Sequence, residues 1–278
     1  MESPFAEQVG EDAFFLRSDS LGIADGVGGM RNHAFADPGR WAKKIMHLCS
    51  SELGRYEDVE DELFAGWAEV KPQDVLQRAF DRAKRDAVEE GIVGSTTALL
   101  AVLRNDELRL TNIGDCCCFI IRGRDYIFRL EEQQHSFNYP FQLSTFSEKT
   151  SVPSKDAQNF TVKVQRDDII VLSSDGLVDN LFDDDILDEV LRFSSPTSAS
   201  SSTSAAGQLK LRPFSPRALS EALCSRAKAV SEDQLAVTSP FQQKAMEEGM
   251  YYVGGKKDDI TTVICLVQGA EEVGRHEE

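Results

Sequence analysis

Apolar residues along this chain come in two arrangements: short runs that break off at an acid, and longer stretches with apolar positions at helical spacing. Ala13 to Arg17 reads as a strand, Ser18-Asp19-Ser20 as a turn, and Leu21 to Ala24 as a second strand that delivers Asp25 at its tip. As an antiparallel hairpin, the pair brings Asp12 at the start of the first strand towards Asp25 at the end of the second. Helical spacing follows. Pro38 to Ser51 carries Trp41, Ile45 and Leu48 on one face. Pro72 to Glu90 carries a stripe of Val75, Leu76, Ala79, Phe80, Ala83 and Ala87, opens on a proline suited to a first turn and stops at Gly91. The acidic run Glu57 to Glu62 between them reads as a solvated loop.

From Ser95 the pattern returns to strands. Thr96 to Leu103, Leu108 to Ile113, Cys116 to Ile121 and Tyr126 to Leu130, joined at Asn105-Asp106, Gly114-Asp115 and Gly123, predict an antiparallel meander. Glu131 to Gln158 is long and irregular. Its His135, Phe137, Tyr139, Phe141 and Phe146 predict that it folds back onto the domain as packing, with a flap at a site rim as the alternative. Phe160 to Val164 and Ile169 to Ser173 predict a hairpin around Asp167, and the second strand ends in Ser174-Asp175-Gly176, repeating the strand-to-acid junction. Asp183 to Arg192 reads as a helix whose leading aspartates favour its dipole rather than a metal. Ser215 to Val230 and Pro240 to Glu248 are further helices, and Gly254-Gly255-Lys256-Lys257-Asp258-Asp259 leads into a last strand, Ile260 to Val267. Because strands resume after it, the serine-rich stretch at about 194–212 is expected to be a flexible loop inside one domain spanning 1–278.

Length and composition narrow the class. The 278 residues suit one large domain, and 41% hydrophobic content is ordinary for a globular chain. The net charge of -17, from 47 acids against 30 bases, leaves no basic stripe and argues against nucleic acid or an anionic membrane as partner. Of the six cysteines, Cys116, Cys117 and Cys118 are consecutive and none forms a CxxC pair, which argues against a disulfide framework or a zinc site and for a reducing compartment. Those three alternate across a strand as small buried residues. No apolar run approaches the roughly 18 residues of a membrane span. The first residues, with Glu2, Glu7, Glu11 and Asp12, resemble neither a secretory signal nor a transit peptide. The expectation is an intracellular protein whose targeting segment, if it has one, is absent from this chain.

The candidate chemistry lies in the acids at strand junctions: Asp12, Asp25, Asp175 and Asp258, with Asp115 as a fifth. Carboxylates gathered at one end of a sheet repel one another, and a divalent cation relieves the crowding. Oxygen-only donors suit Mg²⁺ or Mn²⁺ rather than zinc. Two such ions hold a hydroxide near neutral pH and clamp a phosphoryl group. The plainer alternative for Asp25-Gly26 is a turn in which the acid caps its own backbone.

These residues resemble the metal-dependent serine/threonine protein phosphatases of type 2C, the PPM phosphatases, over nearly the whole chain. Glu11-Asp12 is similar to the family's first acidic pair, Asp25-Gly26-Val27-Gly28-Gly29 to its Asp-Gly-x-Gly-Gly motif, and Gly94-Ser95-Thr96-Thr97-Ala98 to its Gly-Ser-Thr strand. Gly114-Asp115 resembles its Gly-Asp turn, Ser174-Asp175-Gly176-Leu177-Val178-Asp179 its Ser-Asp-Gly segment, and Asp258-Asp259-Ile260-Thr261 its Asp-Asn-Ile-Thr segment, with Asp259 in the Asn place. The loop containing His135-Ser136-Phe137-Asn138 and Pro140-Phe141-Gln142-Leu143 is closest to a subgroup known from fungal and animal mitochondria.

The resemblance implies an α+β fold, a four-layer α-β-β-α sandwich of two antiparallel sheets flanked by helices. It implies a binuclear Mn²⁺ or Mg²⁺ site in which Asp25 bridges both ions, the Gly26 carbonyl binds one directly or through water, and Asp175 and Asp258 hold the other. Asp12 acts from behind or through water, and Asp115 serves a third, weaker ion. The hydroxide between the ions attacks phosphorus in line, with no covalent phosphoenzyme, so Asp25, Asp175 and Asp258 carry the catalysis. The implied function is hydrolysis of phosphoserine and phosphothreonine in phosphoprotein substrates by a monomer of the mitochondrial matrix or cytoplasm. An inert phosphatase fold serving as a regulatory or binding module is the alternative, disfavoured because every ligand acid is present. An aspartyl-nucleophile phosphotransferase is remote, since Asp183-Asp184-Asp185 follows no strand. Two departures stand out. Some members have a histidine after the Asp-Gly, where this chain has Val27; the nearby His33 reads as a surface residue. Members often carry a phosphate-binding arginine before the acidic pair, but none of the ten residues before Glu11 is Arg, which leaves Arg17 and Arg31 as candidates.

Overall fold

The computed structural model describes residues 6–28, 36–146, 150–194, 214–233, 235 and 238–269. In chain order the strands and helices are β1 (Glu7–Val9), β2 (Asp12–Leu16), β3 (Ser20–Ala24), α1 (Pro38–Gly54), α2 (Pro72–Glu90), β4 (Ser95–Thr96), β5 (Ala98–Arg104), β6 (Glu107–Ile113), β7 (Cys117–Arg122) and β8 (Asp125–Arg129). There follow β9 (Gln134–Ser136), β10 (Tyr139–Pro140), β11 (Leu143–Ser144), α3 (Pro153–Asp156), β12 (Gln158–Lys163), β13 (Ile169–Ser173), α4 (Asp175–Val178), α5 (Asp183–Ser194), α6 (Pro216–Glu232), α7 (Pro240–Glu247) and β14 (Thr262–Leu266).

Two antiparallel sheets carry the architecture, one ordered β1-β2-β3-β5-β6-β12 and the other β14-β13-β7-β8. Three buried clusters fill three gaps. Between the sheets, Ile23, Leu99, Ala101 and Leu110 meet Cys118, Ile120, Ile170 and Leu172. Outside the first sheet, Trp41, Ile45, Leu76 and Phe80 of α1 and α2 cover Phe15, Leu100 and Val102. Outside the second, Ile186, Val190, Leu219 and Leu223 of α5 and α6 cover Phe119, Ile121 and Val171. The layers therefore run helix, sheet, sheet, helix, as the resemblance implies. The α1 and α2 stripes are the cause on one side, since their periodic apolar face has nowhere else to hide from water. Alternation from Cys116 into β7 serves both neighbours: Cys116, Cys118 and Ile120 point between the sheets, while Cys117, Phe119 and Ile121 point at the outer helices.

The structure corrects the expected connectivity. β6 and β7 do not pair; the meander breaks at Gly114, whose φ of 109° turns the chain from one sheet to the other. β12 and β13 are likewise no hairpin, because β12 pairs with β6 and β13 with β7 and β14. There Asp167 adopts a left-handed φ of 70°, and the fully buried Asp168 accepts bonds of 2.8 Å from both Arg122 and the Gln165 N–H. That turn, exposed at Gln165 to Asp167 and pinned by buried Asp168, redirects the chain. The stretch expected to be irregular contains the β9–β10 hairpin and β11, which pairs with β4. The edge strand β1 and a short 3₁₀ helix at Phe64–Glu69 carry no periodic signal in the sequence. Apart from Ser194, the last residue of α5, the expected serine-rich loop at about 194–212 lies outside the described residues.

Candidate metal centre

The β2–β3 register sets Ala13 opposite Ala24, so Asp12 and Asp25 flank the same end of the hairpin. The Gly94-to-Ala98 stretch then fixes the Asp25 backbone. The Asp25 N–H donates to Thr97 Oγ1 at 2.9 Å, while the Thr96 hydroxyl and the Thr97 N–H donate to the Asp25 carbonyl at 2.8 and 2.9 Å. Next to it, a Cβ on Gly26 would stand 2.5 Å from the Glu11 carbonyl oxygen, so only glycine lets the chain pass so close.

Asp175 opens α4 directly after β13. A Cβ on Gly176 would fall 2.0 Å from the Asp259 carbonyl oxygen, so the segment carrying Asp258 lies flush against this turn. Ser174 ties the halves together: its hydroxyl donates to Asp12 Oδ2 at 2.8 Å and accepts the Thr261 N–H at 3.0 Å. The Glu11 N–H donates to Asp259 Oδ2 at 2.8 Å. The outcome is a cleft of about 380 Å³ lined by Asp25, Gly26, Asp115, Asp175 and Asp258, with Val27, Asn138, Tyr139 and Gln142 on its walls. Asp12, 1% exposed, stands behind that lining.

The electrostatics follow from crowding. Burial, then the charge of Asp175, pushes the Asp25 and Asp115 carboxyls well above the usual carboxylate range. Burial lifts Asp12 to about 7 against the hydrogen bonds from Thr261 and Ser174. Asp258 is raised by burial and by Asp175. Burial works against the charge of Asp175 as well, but the Lys256 ammonium overrides it and holds that carboxyl below its ordinary value. Lys256 Nζ lies 2.5 Å from Asp175 Oδ2, 2.7 Å from Asp179 Oδ2 and 3.2 Å from Asp258 Oδ2. Asp179, itself buried, is pushed up to about 7 by burial and by Asp175.

The donor set fits a hard divalent cation in kind. It consists of carboxylates and a backbone carbonyl, and the buried Oδ1 atoms of Asp12 and Asp175 have no hydrogen-bond partner. As the side chains stand, no three His, Cys, Asp or Glu residues among those described form a ready metal-holding group. Lys256 places positive charge between Asp175 and Asp258.

Asp25, Gly26, Asp115, Asp175 and Asp258 thus share one cleft, with Asp12 against its back, and the plain-turn alternative for Asp25-Gly26 does not describe this arrangement. Arg17 is elsewhere. It follows the far end of β2, where it donates to the Ser50 carbonyl at 3.2 Å and to Glu57 at 2.7 Å, so it is no phosphate ligand. Arg31 and His33 lie outside the described residues. Sequence reasoning missed Lys256 and Asp179. The signal for the first was a lysine two positions before an acid already singled out; for the second, an acid one helical turn after Asp175.

The profile described as Protein phosphatase 2C matches residues 6–213, and the chain belongs to that family, whose fold this is. Among its relatives, "Protein phosphatase PTC7 homolog" of Homo sapiens is 32% identical over 271 residues, covering 93% of this chain and 79% of that protein. "Probable protein phosphatase 2C 55" of Arabidopsis thaliana is 30% identical over 269 residues, covering 96% of this chain and 50% of that protein. The chain spans about half the length of the first plant relatives it matches. The solved photosystem II phosphatase PBCP superposes with a TM-score of 0.73 at 26% identity, over 95% of this chain and 97% of that one. The catalytic domain of serine threonine protein phosphatase PstP, solved in complex with 2 manganese ions, shares the fold at a TM-score of 0.56 and 15% identity, over 93% and 94% of the two chains.

Proposed function

We propose that this chain is a metal-dependent protein phosphatase that hydrolyses phosphoserine and phosphothreonine. The observation that carries the reading is the convergence of Asp25, Asp115, Asp175 and Asp258 on one cleft, backed by Asp12, in a chain of the Protein phosphatase 2C family. Asp25, the Gly26 carbonyl, Asp175 and Asp258 would hold two Mn²⁺ or Mg²⁺ ions. Asp12 would steady that set from behind, and Asp115 would serve a third ion. The manganese ions of the PstP domain support the choice of metal. When bound, such ions acidify water towards neutral pH and set positive charge against phosphoryl oxygens.

The protein's own groups do the rest. Asp25, Asp175 and Asp258 would bind as carboxylates and orient the centre, with the Asp25 backbone held by Thr96 and Thr97. Asn138, Tyr139 and Gln142 border the cleft where a phosphorylated side chain enters. Val27 lines it with no proton to give, so a metal-bound water or another group must protonate the departing oxygen.

The proposal takes residues 1–278 as one domain acting as a monomer on phosphoproteins. Asp258 and β14 lie beyond the matched 6–213, yet they complete the cleft and the second sheet. The proposed setting is the mitochondrial matrix or cytoplasm. The loop likeness and six free thiols support it, and among the described residues no helix is long and apolar enough to cross a membrane. Lys256 between Asp175 and Asp258 favours a second reading, an inert binding module.

An assay separates the two. Protein stripped with EDTA and reloaded with Mn²⁺ or Mg²⁺ is expected to hydrolyse p-nitrophenyl phosphate and phosphoserine peptides, with Asp25→Ala reducing kcat by at least about 10²-fold. Full activity in EDTA refutes metal dependence. No turnover of any phosphopeptide by the loaded protein establishes the inert module.

A further inference from the structure

Lys256 is the one cationic residue among those described that line the cleft, and its placement is built rather than incidental. Asn180 clamps its backbone from both sides: Oδ1 accepts the Lys256 N–H at 3.0 Å and Nδ2 donates to the Lys256 carbonyl at 2.9 Å. The ammonium lies 5.1 Å from the centre of the Phe241 ring. Its contacts are of two kinds. Asp175 and Asp258 are acids that the functional reading assigns to metal, whereas Asp179 lies outside that set and outside the cleft lining. Asp179 is buried, 5% exposed, and its other cation, Lys244 at 3.8 Å, is engaged at 2.5 Å with Glu132. Asp179 is therefore an anchor that keeps Lys256 beside the ligand acids whether or not they are occupied elsewhere.

We infer that Lys256, tethered by Asp179, is an internal counter-cation that neutralises Asp175 and Asp258 in the metal-free protein and competes with the divalent ion for them. Lysine suits the task. It is a compact charge on a flexible stem, able to release one carboxylate while keeping another. A cation binding Asp175 must displace this ammonium or bind beside it, and in either case loses affinity to like charge. In exchange, the buried acids of the empty site are not left facing one another uncompensated. The inference rests on the metal-dependent reading above.

Isothermal titration of the metal-stripped protein with Mn²⁺ tests it. Lys256→Met is expected to bind Mn²⁺ at least about fivefold more tightly than the unaltered chain, the lower end of an ordinary coupling between two ligands. Its metal-free melting temperature is expected to fall while its metal-induced gain grows. A purely structural lysine would lower stability without tightening the metal. Lys256→Gln repeats the test should the methionine variant fold poorly. In the unaltered chain, the Lys256 Nζ resonance is expected to shift on Mg²⁺ addition over the same range as binding. Unchanged or weaker Mn²⁺ affinity in both variants, or an unmoved resonance through saturation, overturns the inference. Binding in the unaltered chain without tightening in the variants sinks this inference alone, whereas no uptake by any of the three proteins sinks the metal-dependent reading as well.

Discussion

In EDTA the protein should lose stability as pH rises from 5 to 7, the reverse of ordinary acid denaturation. Asp12 titrates near 3.8 when unfolded and near 7 when folded, because burial opposes its charge. Between those values the folded chain keeps a proton that the unfolded chain has released. Fewer protons on the unfolded state mean that stability falls with pH, by about 1.4 kcal/mol per unit for one group. Stability from this source is fully present below the unfolded value and gone above about 7. Across the two units from pH 5 to 7, one such group accounts for about 2 kcal/mol, since the folded group is half ionised by pH 7. In a chain of this size that is roughly 4–8 °C of melting temperature. Asp179, lifted to the same value, and the raised Asp25, Asp115 and Asp258 act in the same direction. Asp175 and Asp61 are lowered, so their stability is lost only as pH falls below the ordinary carboxylate range, outside this window. Calorimetry at pH 5, 6, 7 and 8 measures the slope. Asp12→Asn, neutral throughout, should flatten it, and Mn²⁺ should reverse it, since metal needs the carboxylates ionised. A melting temperature in EDTA that is flat or rising between pH 5 and 7 would refute the picture of Asp12 and its neighbours as desolvated acids.

Three further outcomes are expected. Thr97→Val leaves the Asp25 N–H without its 2.9 Å acceptor and should cost about 1–3 kcal/mol in the urea midpoint, with weaker Mn²⁺ binding by titration. Gly176→Ala drives a methyl to within 2.0 Å of the Asp259 carbonyl and should cost about 1–3 kcal/mol while separating Asp175 from Asp258, read as lost phosphatase turnover in a protein that still folds. Phe137→Ala removes the ring 5.1 Å from Phe241 that holds the β9–β10 hairpin against α7. Losing about 1 kcal/mol there should raise KM for a phosphopeptide roughly fivefold and leave p-nitrophenyl phosphate hydrolysis unaltered.

Most of the framework was legible where local chemistry decides structure. The bounds of α2 follow from Pro72 at one end and Gly91, at φ 65°, at the other. The Asp12–Asp25 juxtaposition follows from hairpin geometry alone, and the cysteine alternation from strand period. What was hidden depends on which edge a strand finds. Leu108 to Ile113 and Cys116 to Ile121 look like hairpin partners in sequence, but each has apolar residues on both faces and can satisfy them in either sheet. The choice rests on long-range pairings, of β12 on β6 and of β13 on β7, that no local window contains. The same limit hid Lys256. Its three carboxylate partners converge on it only once α4 and the last loop are packed together, and in sequence it reads as one of two lysines in a polar turn.

β7 has water on neither side, with thiols and Ile120 filling one compartment and Phe119 and Ile121 another. Such a strand tolerates exchange of one side chain for another far better than a change in its length. Inserting a single residue would swap the occupants of the two compartments, forcing the Phe119 ring into space shaped for a cysteine. Natural variation in this segment should therefore take the form of substitutions, with insertions and deletions confined to the exposed turn at Gly123.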